Sequence, residues 1–369
     1  MFTLGAWLHD LSPFLVRFTD SFGLRWYGLS YAAGFVVAWF MLQWFAKRRL
    51  TPLSAERLSD AMLTLVLGVV VGGRLGYAFF YEPSLLWTFS KGLPWWGLLK
   101  LNQGGMSFHG GTLGVLTGTW VIYRRARKDG IPVPWLHVCD LTAIACTPGL
   151  FFGRMANFVN AELLGKIVAM PGQPAPWWAV KFPTEAFTTQ APPGQAEALR
   201  PLIESYRLPG ETIEEGFRHL LSTLRSHTPE AHKLAVKLDP FISARHPSQL
   251  YQGVTEGIVV GLILWGIWRK PARAGALTTA FLICYGIVRI LTEFIRLPDA
   301  QLAVQRILGL SRGQWLSVAM IVAGLLVRVL VPKSKELFGG WGTPSLREGS
   351  VQAITRTKTH DDSSRNRRA

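Results

Sequence analysis

Arginine, asparagine, glutamate and histidine recur in this chain inside stretches that are otherwise apolar. Arg154, Asn157, Asn160 and Glu162 fall in the run GRMANFVNAELLG at 153–165. Arg245 opens RHPSQLY at 245–251, and Arg289, Glu293 and Arg296 follow at i, i+4 and i+7. Arg74 lies in GGRLGY at 72–77, and His109 lies in GGMSFHGG at 104–111. On a helix these spacings put Arg154 with Asn157, and Arg289 with Glu293 and Arg296, on shared faces. Arginine grips phosphate through a planar fork and holds its charge throughout the physiological range. Histidine, with an ordinary pKa of about 6.5, suits a general base. The chemistry these residue types offer is capture of an anion with a proton transfer beside it.

The elements that must position them are membrane spans. The chain has 369 residues, is 49% hydrophobic and only 17% charged, against roughly 25% charged in soluble domains. Apolar blocks run at about 27–46, 61–81, 106–123, 136–153, 250–268, 275–295 and 314–332. Each can cross about 30 Å of hydrocarbon as a helix. Continuous rather than alternating apolarity favours helices over a barrel. The expected fold is therefore an all-α polytopic membrane protein of about seven spans. Disorder of the whole chain and a disulfide scaffold are excluded. Cys139, Cys146 and Cys284 all sit inside apolar blocks.

The charge balance is 39 Lys+Arg against 23 Asp+Glu. In a membrane protein such a surplus belongs to cytoplasmic loops rather than to nucleic acid. Basic clusters follow the first, third and fifth blocks at 47–49, 124–128 and 269–270, and the seventh block runs into a basic tail. The N-terminus is therefore expected outside and the C-terminus inside. The segments read as an outer N-terminal stretch at 1–26, four spans at 27–155, an outer head region at 156–247, three spans at 248–332 and a disordered tail at 333–369. The Trp-rich stretch 82–105 reads as an arm lying on lipid headgroups. The first residues lack the pattern of a cleavable signal.

Each polar residue alone has a structural explanation. An arginine near a span end snorkels to the interface, Arg289 with Glu293 can pair between helices, and His109 can be an ordinary interfacial histidine. Paired glycines are often only close helix packing. Their location together near the outer ends of the spans is harder to explain by packing. Ionisable groups at membrane depth point to function.

At these residues the chain resembles the bacterial prolipoprotein diacylglyceryl transferase family. The resemblance is carried by HGG at 109–111, GRMANFVNAELLG, RHPSQLY and GIVRILTEFIRLPD at 286–299, with RWYGLSY at 25–31 and GGRLGY in support. It covers about residues 20–330. It implies an inner-membrane enzyme that moves sn-1,2-diacylglyceryl from phosphatidylglycerol to the lipobox cysteine of a prolipoprotein, leaving glycerol 1-phosphate. Its partners would be that lipid, prolipoprotein signal peptides and the bilayer, with no nucleic acid, cofactor or metal. The functional positions carried over are Tyr27, His109, Arg154, Asn157, Glu162, Gly165 and Arg245. Where relatives often have Glu after RHPSQLY this chain has Gln252, with Glu256 one turn on, and Leu297 stands where an acid is frequent.

The expected mechanism has Arg154 and Arg245 clamping phosphate, Asn157 and Tyr27 orienting the headgroup, and His109 taking the thiol proton. Glu162 would orient a polar partner, while Arg74, Arg289 and Glu293 play supporting parts. A carrier of anionic lipid using the same arginine-lined cavity is the alternative.

Overall fold

The computed structural model describes residues 5–18, 23–100, 104–297, 306–330, 337–341 and 343. Long helices dominate it: α1 (Trp26–Lys47), α2 (Ala55–Phe80), α3 (Phe108–Lys128) and α4 (Trp135–Val159). After an intervening region come α8 (Ser248–Gln252), a π-helical stretch over Gly253–Val259 and α9 (Val260–Trp268), which together form one helix. Then follow α10 (Ala276–Glu293) and α11 (Arg312–Leu330). Among the described residues six helices are long and apolar enough to span a bilayer: α1, α2, α4, the Ser248–Trp268 helix, α10 and α11. The third expected span is α3, 21 residues long. It is a helix of spanning length, made less apolar by its glycines and by the Arg125, Arg127 and Lys128 of its last turn.

The chain divides into two compact units. The first comprises Met1–Gly34, Gly149–Val260 and Cys284–Val322, and the second Phe35–Pro148, Gly261–Ile283 and Ala323–Ala369.

The first unit contains most of the non-spanning structure. Strands β1 (Trp7–Leu8), β4 (Ile167–Ala169), β5 (Val180–Lys181) and β6 (Ala244–Arg245) form a sheet in the order β1-β5-β6-β4. The β1–β5 pair is parallel and the others antiparallel. Short hairpins join β2 (Phe14–Arg17) to β3 (Gly23–Arg25) and β7 (Arg306–Ile307) to β8 (Leu310–Ser311). Helices α5 (Gln195–Glu204), α6 (Ile213–Leu224) and α7 (Pro229–Leu238) pack around Leu199, Ile203, Leu220, Leu234 and Leu238. A capping box between Thr212 and Glu215 starts α6. The all-helical expectation missed the four-stranded sheet because strands of two or three residues carry no readable alternation.

In the second unit α2 and α3 approach through glycine. A Cβ at Gly72 would lie 2.9 Å from the Gly114 Cα, and one at Gly76 would lie 2.6 Å from the Gly110 Cα. Small residues at four-residue spacing permit such backbone contact between membrane helices. The tail expected to be disordered from 333 is ordered at 337–341. There Phe338 N donates to the Ala272 carbonyl and Trp341 N to that of Trp268. The Trp341 ring lies 5.5 Å from Trp44 and 6.4 Å from Trp265. Ring contacts and backbone hydrogen bonds hold this segment in place despite its polar surroundings in sequence. Residues 333–336, 342 and 344–369, the remainder of the expected tail, lie outside the described residues.

Candidate active site

Helix α4 carries Arg154 and Asn157 in its last two turns and stops at Val159. The chain then turns through Ala161 and Leu163, both at positive φ (54° and 56°). This sharp exit folds Glu162 back onto the helix end, where Glu162 N donates to the Asn157 carbonyl at 2.9 Å. The Asn157 amide donates to Glu162 Oε2 at 3.1 Å and to the Tyr27 hydroxyl of α1 at 3.4 Å. Three of the residues expected to bind lipid therefore form one hydrogen-bonded set. Burial pushes the Glu162 carboxyl above the usual carboxylate range, and hydrogen bonds to Asn157 and Asn160 oppose that shift.

A ladder of alternating charge runs through the same unit. Arg154 donates twice to Glu256 Oε2, at 3.0 Å from Nε and 2.9 Å from Nη2. Glu256 is fully buried within the π-helical stretch, and its Oε1 lies 4.0 Å from Arg289 Nε. Arg289 in turn donates to Glu293 Oε2 at 2.8 Å, and Arg296 approaches that oxygen at 3.6 Å. Ser311 donates to Glu293 Oε1 at 3.0 Å. The expected i, i+4, i+7 stripe is thus a real set of ion pairs, extended by Glu256. Three guanidiniums and two carboxylates thus share one run of contacts. Such π-helical stretches often occur at functional sites.

Arg245 corrects one expectation. Arg245 and Glu185 are both 0% exposed and form a close ion pair. Arg245 also donates to the Gly165 carbonyl at 3.1 Å and to the Gln190 carbonyl at 2.7 Å. The same carboxylate accepts from Gln195, at 2.8 Å, and from the amide and hydroxyl of Ser243. A guanidinium closed off from solvent, with its own carboxylate and two carbonyls, is not one half of an open phosphate clamp. Its neighbour Gly165 likewise serves packing: a Cβ there would overlap the His246 carbonyl oxygen. Leu297 N donates to the Leu164 carbonyl, and Ser248 Oγ to that of Leu163. Side chains of RHPSQLY thus tie it to carbonyls of GRMANFVNAELLG, Arg245 to Gly165, Ser248 to Leu163 and Gln249 to Glu162. Glu185, the hub of this network, lies in the stretch between 171 and 240, where residue type and spacing held no signal.

Arg74 and His109 belong to the second unit. Arg74 is 5% exposed and, among the described residues, donates only to carbonyls: Leu98 at 2.8 Å, Gly97 at 2.7 Å, Gly104 at 2.7 Å and Gly105 at 2.9 Å, with Lys100 at 3.4 Å. It pins the end of the Trp-rich arm against α2. His109 is the second residue of α3, just past the N-cap Ser107, and its ring is exposed.

The chain is similar to known proteins over most of its length. A family model described as prolipoprotein diacylglyceryl transferase matches residues 13–330. A phosphatidylglycerol–prolipoprotein diacylglyceryl transferase of Bdellovibrio bacteriovorus is 37% identical over 353 residues, covering 90% of this chain and 97% of that protein. Proteins of the same name from Ruegeria pomeroyi and Cereibacter sphaeroides are 36% and 37% identical, each covering 86% of this chain and 94% of the relative.

Proposed function

Because the chain belongs to the prolipoprotein diacylglyceryl transferase family, we propose that it transfers the sn-1,2-diacylglyceryl group of phosphatidylglycerol to the lipobox cysteine of prolipoproteins. The observation that supports the chemistry is the Arg154–Glu256–Arg289–Glu293–Arg296 ladder, in which Glu256 and Glu293 already orient the guanidiniums of Arg154 and Arg289. A phosphodiester headgroup carries one negative charge, which guanidiniums match through paired hydrogen bonds. Guanidiniums already oriented by carboxylates need little reorganisation to stabilise charge as it develops.

In the reaction the cysteine sulfur, as thiolate, attacks the glyceryl carbon bonded to the phosphate oxygen. A carbon–sulfur bond forms, the carbon–oxygen bond breaks, and the electron pair leaves on the phosphate as glycerol 1-phosphate. Free thiol has a pKa of about 8.5, so a base is needed at neutral pH. The family resemblance assigns that proton to His109, whose ring is exposed. Arg154 and Arg289 hold the phosphate, while Tyr27, Asn157 and Glu162 orient the glyceryl portion. Arg245 acts through Glu185 and the Gly165 carbonyl, fixing the turn that carries Glu162.

The protein is multi-pass. Basic loops after the first, third and fifth blocks support an N-terminus outside the cytoplasmic membrane of a bacterium and a C-terminus inside it. The site then faces the outer leaflet. The exposed Trp87 and Trp95 suit an arm at the headgroup level.

The test is incubation of purified protein with labelled phosphatidylglycerol and a peptide bearing a lipobox cysteine. Label joined to the peptide through a thioether is the expected result. Reversible lipid binding without transfer would instead mark a carrier.

A further inference from the structure

Gln252 is fully buried, yet among the described residues neither its amide nitrogen nor its amide oxygen has a hydrogen-bond partner. Buried polar groups are nearly always satisfied, and each exception calls for an explanation. Four residues on, on the same helix face, Glu256 is also fully buried and shows the same asymmetry. Its Oε2 takes both bonds from Arg154, while its Oε1 accepts no hydrogen bond and lies 4.0 Å from Arg289 Nε.

The helix here is drawn tightly onto α4. A Cβ at Gly253 would stand 2.7 Å from Met155 Cε and 3.3 Å from Arg154 Cβ, and one at Gly257 would stand 2.7 Å from Phe151 Cβ. Glycine at both positions lets the backbones close up and brings the Gln252–Glu256 face beside the arginine ladder. The π-helical winding starts at Gly253, directly after Gln252.

This pair offers two acceptor oxygens and one amide donor beside two guanidiniums. The ligand chemistry that satisfies such a set is a hydroxylated group attached to a phosphate. An apolar or purely cationic headgroup would leave both oxygens or both arginines unmatched. We propose that Gln252 and the Oε1 of Glu256 read the glycerol hydroxyls of the phospholipid headgroup, making Gln252 a specificity-determining residue. The assignment rests on the transferase reading given above. An amide at 252 can meet hydroxyls without adding charge beside the arginines.

The test uses full-length protein, a lipobox peptide and two lipids with identical acyl chains, phosphatidylglycerol and phosphatidylpropanol, which lacks headgroup hydroxyls. Wild-type protein should prefer phosphatidylglycerol in kcat/KM. Gln252→Met, close in shape but without hydrogen-bonding atoms, should lower kcat/KM for phosphatidylglycerol by about 10- to 100-fold. Its effect on phosphatidylpropanol should be much smaller, so that the preference collapses. Gln252→Glu restores an acceptor and should retain the preference while binding either anionic lipid more weakly, which keeps the idea testable if the methionine variant folds poorly. An unchanged preference ratio in Gln252→Met, with both lipids slowed equally, would overturn the assignment. Wild-type protein making no thioether from either lipid would instead overturn the underlying transferase reading.

Discussion

Arginine is buried in both units, and the two treat it differently. In the first, Arg154, Arg245 and Arg289 face carboxylates. In the second, Arg74 is caged by carbonyl oxygens of Gly97, Leu98, Gly104 and Gly105. A carbonyl cage satisfies every donor with neutral dipoles, leaves no site for an anion and ties the loop to α2. A ladder of ion pairs can accept an anion by sharing donors. Within the first unit the distinction repeats. Arg245 is sealed with Glu185, whereas the Arg154 side chain remains 16% exposed. Arginines of equal sequence prominence thus divide into those that hold the structure and those able to meet a substrate.

The sealed pair should show the largest effect. Arg245→Ala strands the Glu185 carboxylate, and removing one partner of a buried pair costs about 3–5 kcal/mol. Thermal unfolding in detergent should reveal a large loss of stability, partly recovered in the double variant Arg245→Ala/Glu185→Gln. A normally stable Arg245→Ala protein that is catalytically dead would return Arg245 to the substrate side of the comparison.

The ladder should respond in rate. Arg154→Lys and Arg289→Lys keep charge but lose the fork, and turnover should drop about 100- to 1,000-fold, as for loss of an oxyanion donor. Melting temperatures should barely move. His109→Gln should slow transfer most at low pH and be partly rescued as pH rises and thiolate appears, whereas neither lysine variant should be rescued. Wild-type turnover in both lysine variants would dissolve the clamp, and a pH-independent His109→Gln rate would remove histidine as the base.

His9 extends the contrast to a neutral group. Its Nε2 bonds the Phe158 carbonyl at 2.9 Å, and burial lowers its pKa to about 4 from an ordinary 6.5. The folded state therefore favours the uncharged ring. Its contribution is present above about pH 6.5 and is lost as pH falls towards 4, with an upper bound of about 3 kcal/mol. His9→Phe should flatten that part of the stability–pH curve. An identical slope in the variant would assign acid sensitivity elsewhere.

The smallest effect belongs to the carbonyl cage. Arg74→Lys retains one or two of its bonds and should cost about 1–2 kcal/mol of stability. Its main signature should be faster proteolysis of the 82–105 arm, with turnover per folded molecule preserved. A turnover loss matching that of Arg154→Lys would put Arg74 in the same class as the ladder.

Sequence alone determined the elements that depend on local pattern. Length and continuous apolarity marked the spanning helices, because a bilayer imposes the same requirement wherever a helix crosses. The i, i+4, i+7 spacing of Arg289, Glu293 and Arg296 foretold a shared face, since helix geometry is local. Family motifs marked Tyr27, Asn157 and Glu162, which the structure joins by hydrogen bonds. Only the tertiary structure decided which arginine meets which acid. Glu185 comes from 60 positions before Arg245 and Glu256 from 102 after Arg154, and no periodicity spans such intervals. It also decided that Gly165 is required for packing, that the 337–341 segment docks, and that Gln252 is buried without a partner. Residue type declares what chemistry a side chain offers. Whether that chemistry is spent on the fold or left for a ligand depends on burial and on partners distant in the chain, which exist only once the chain has folded.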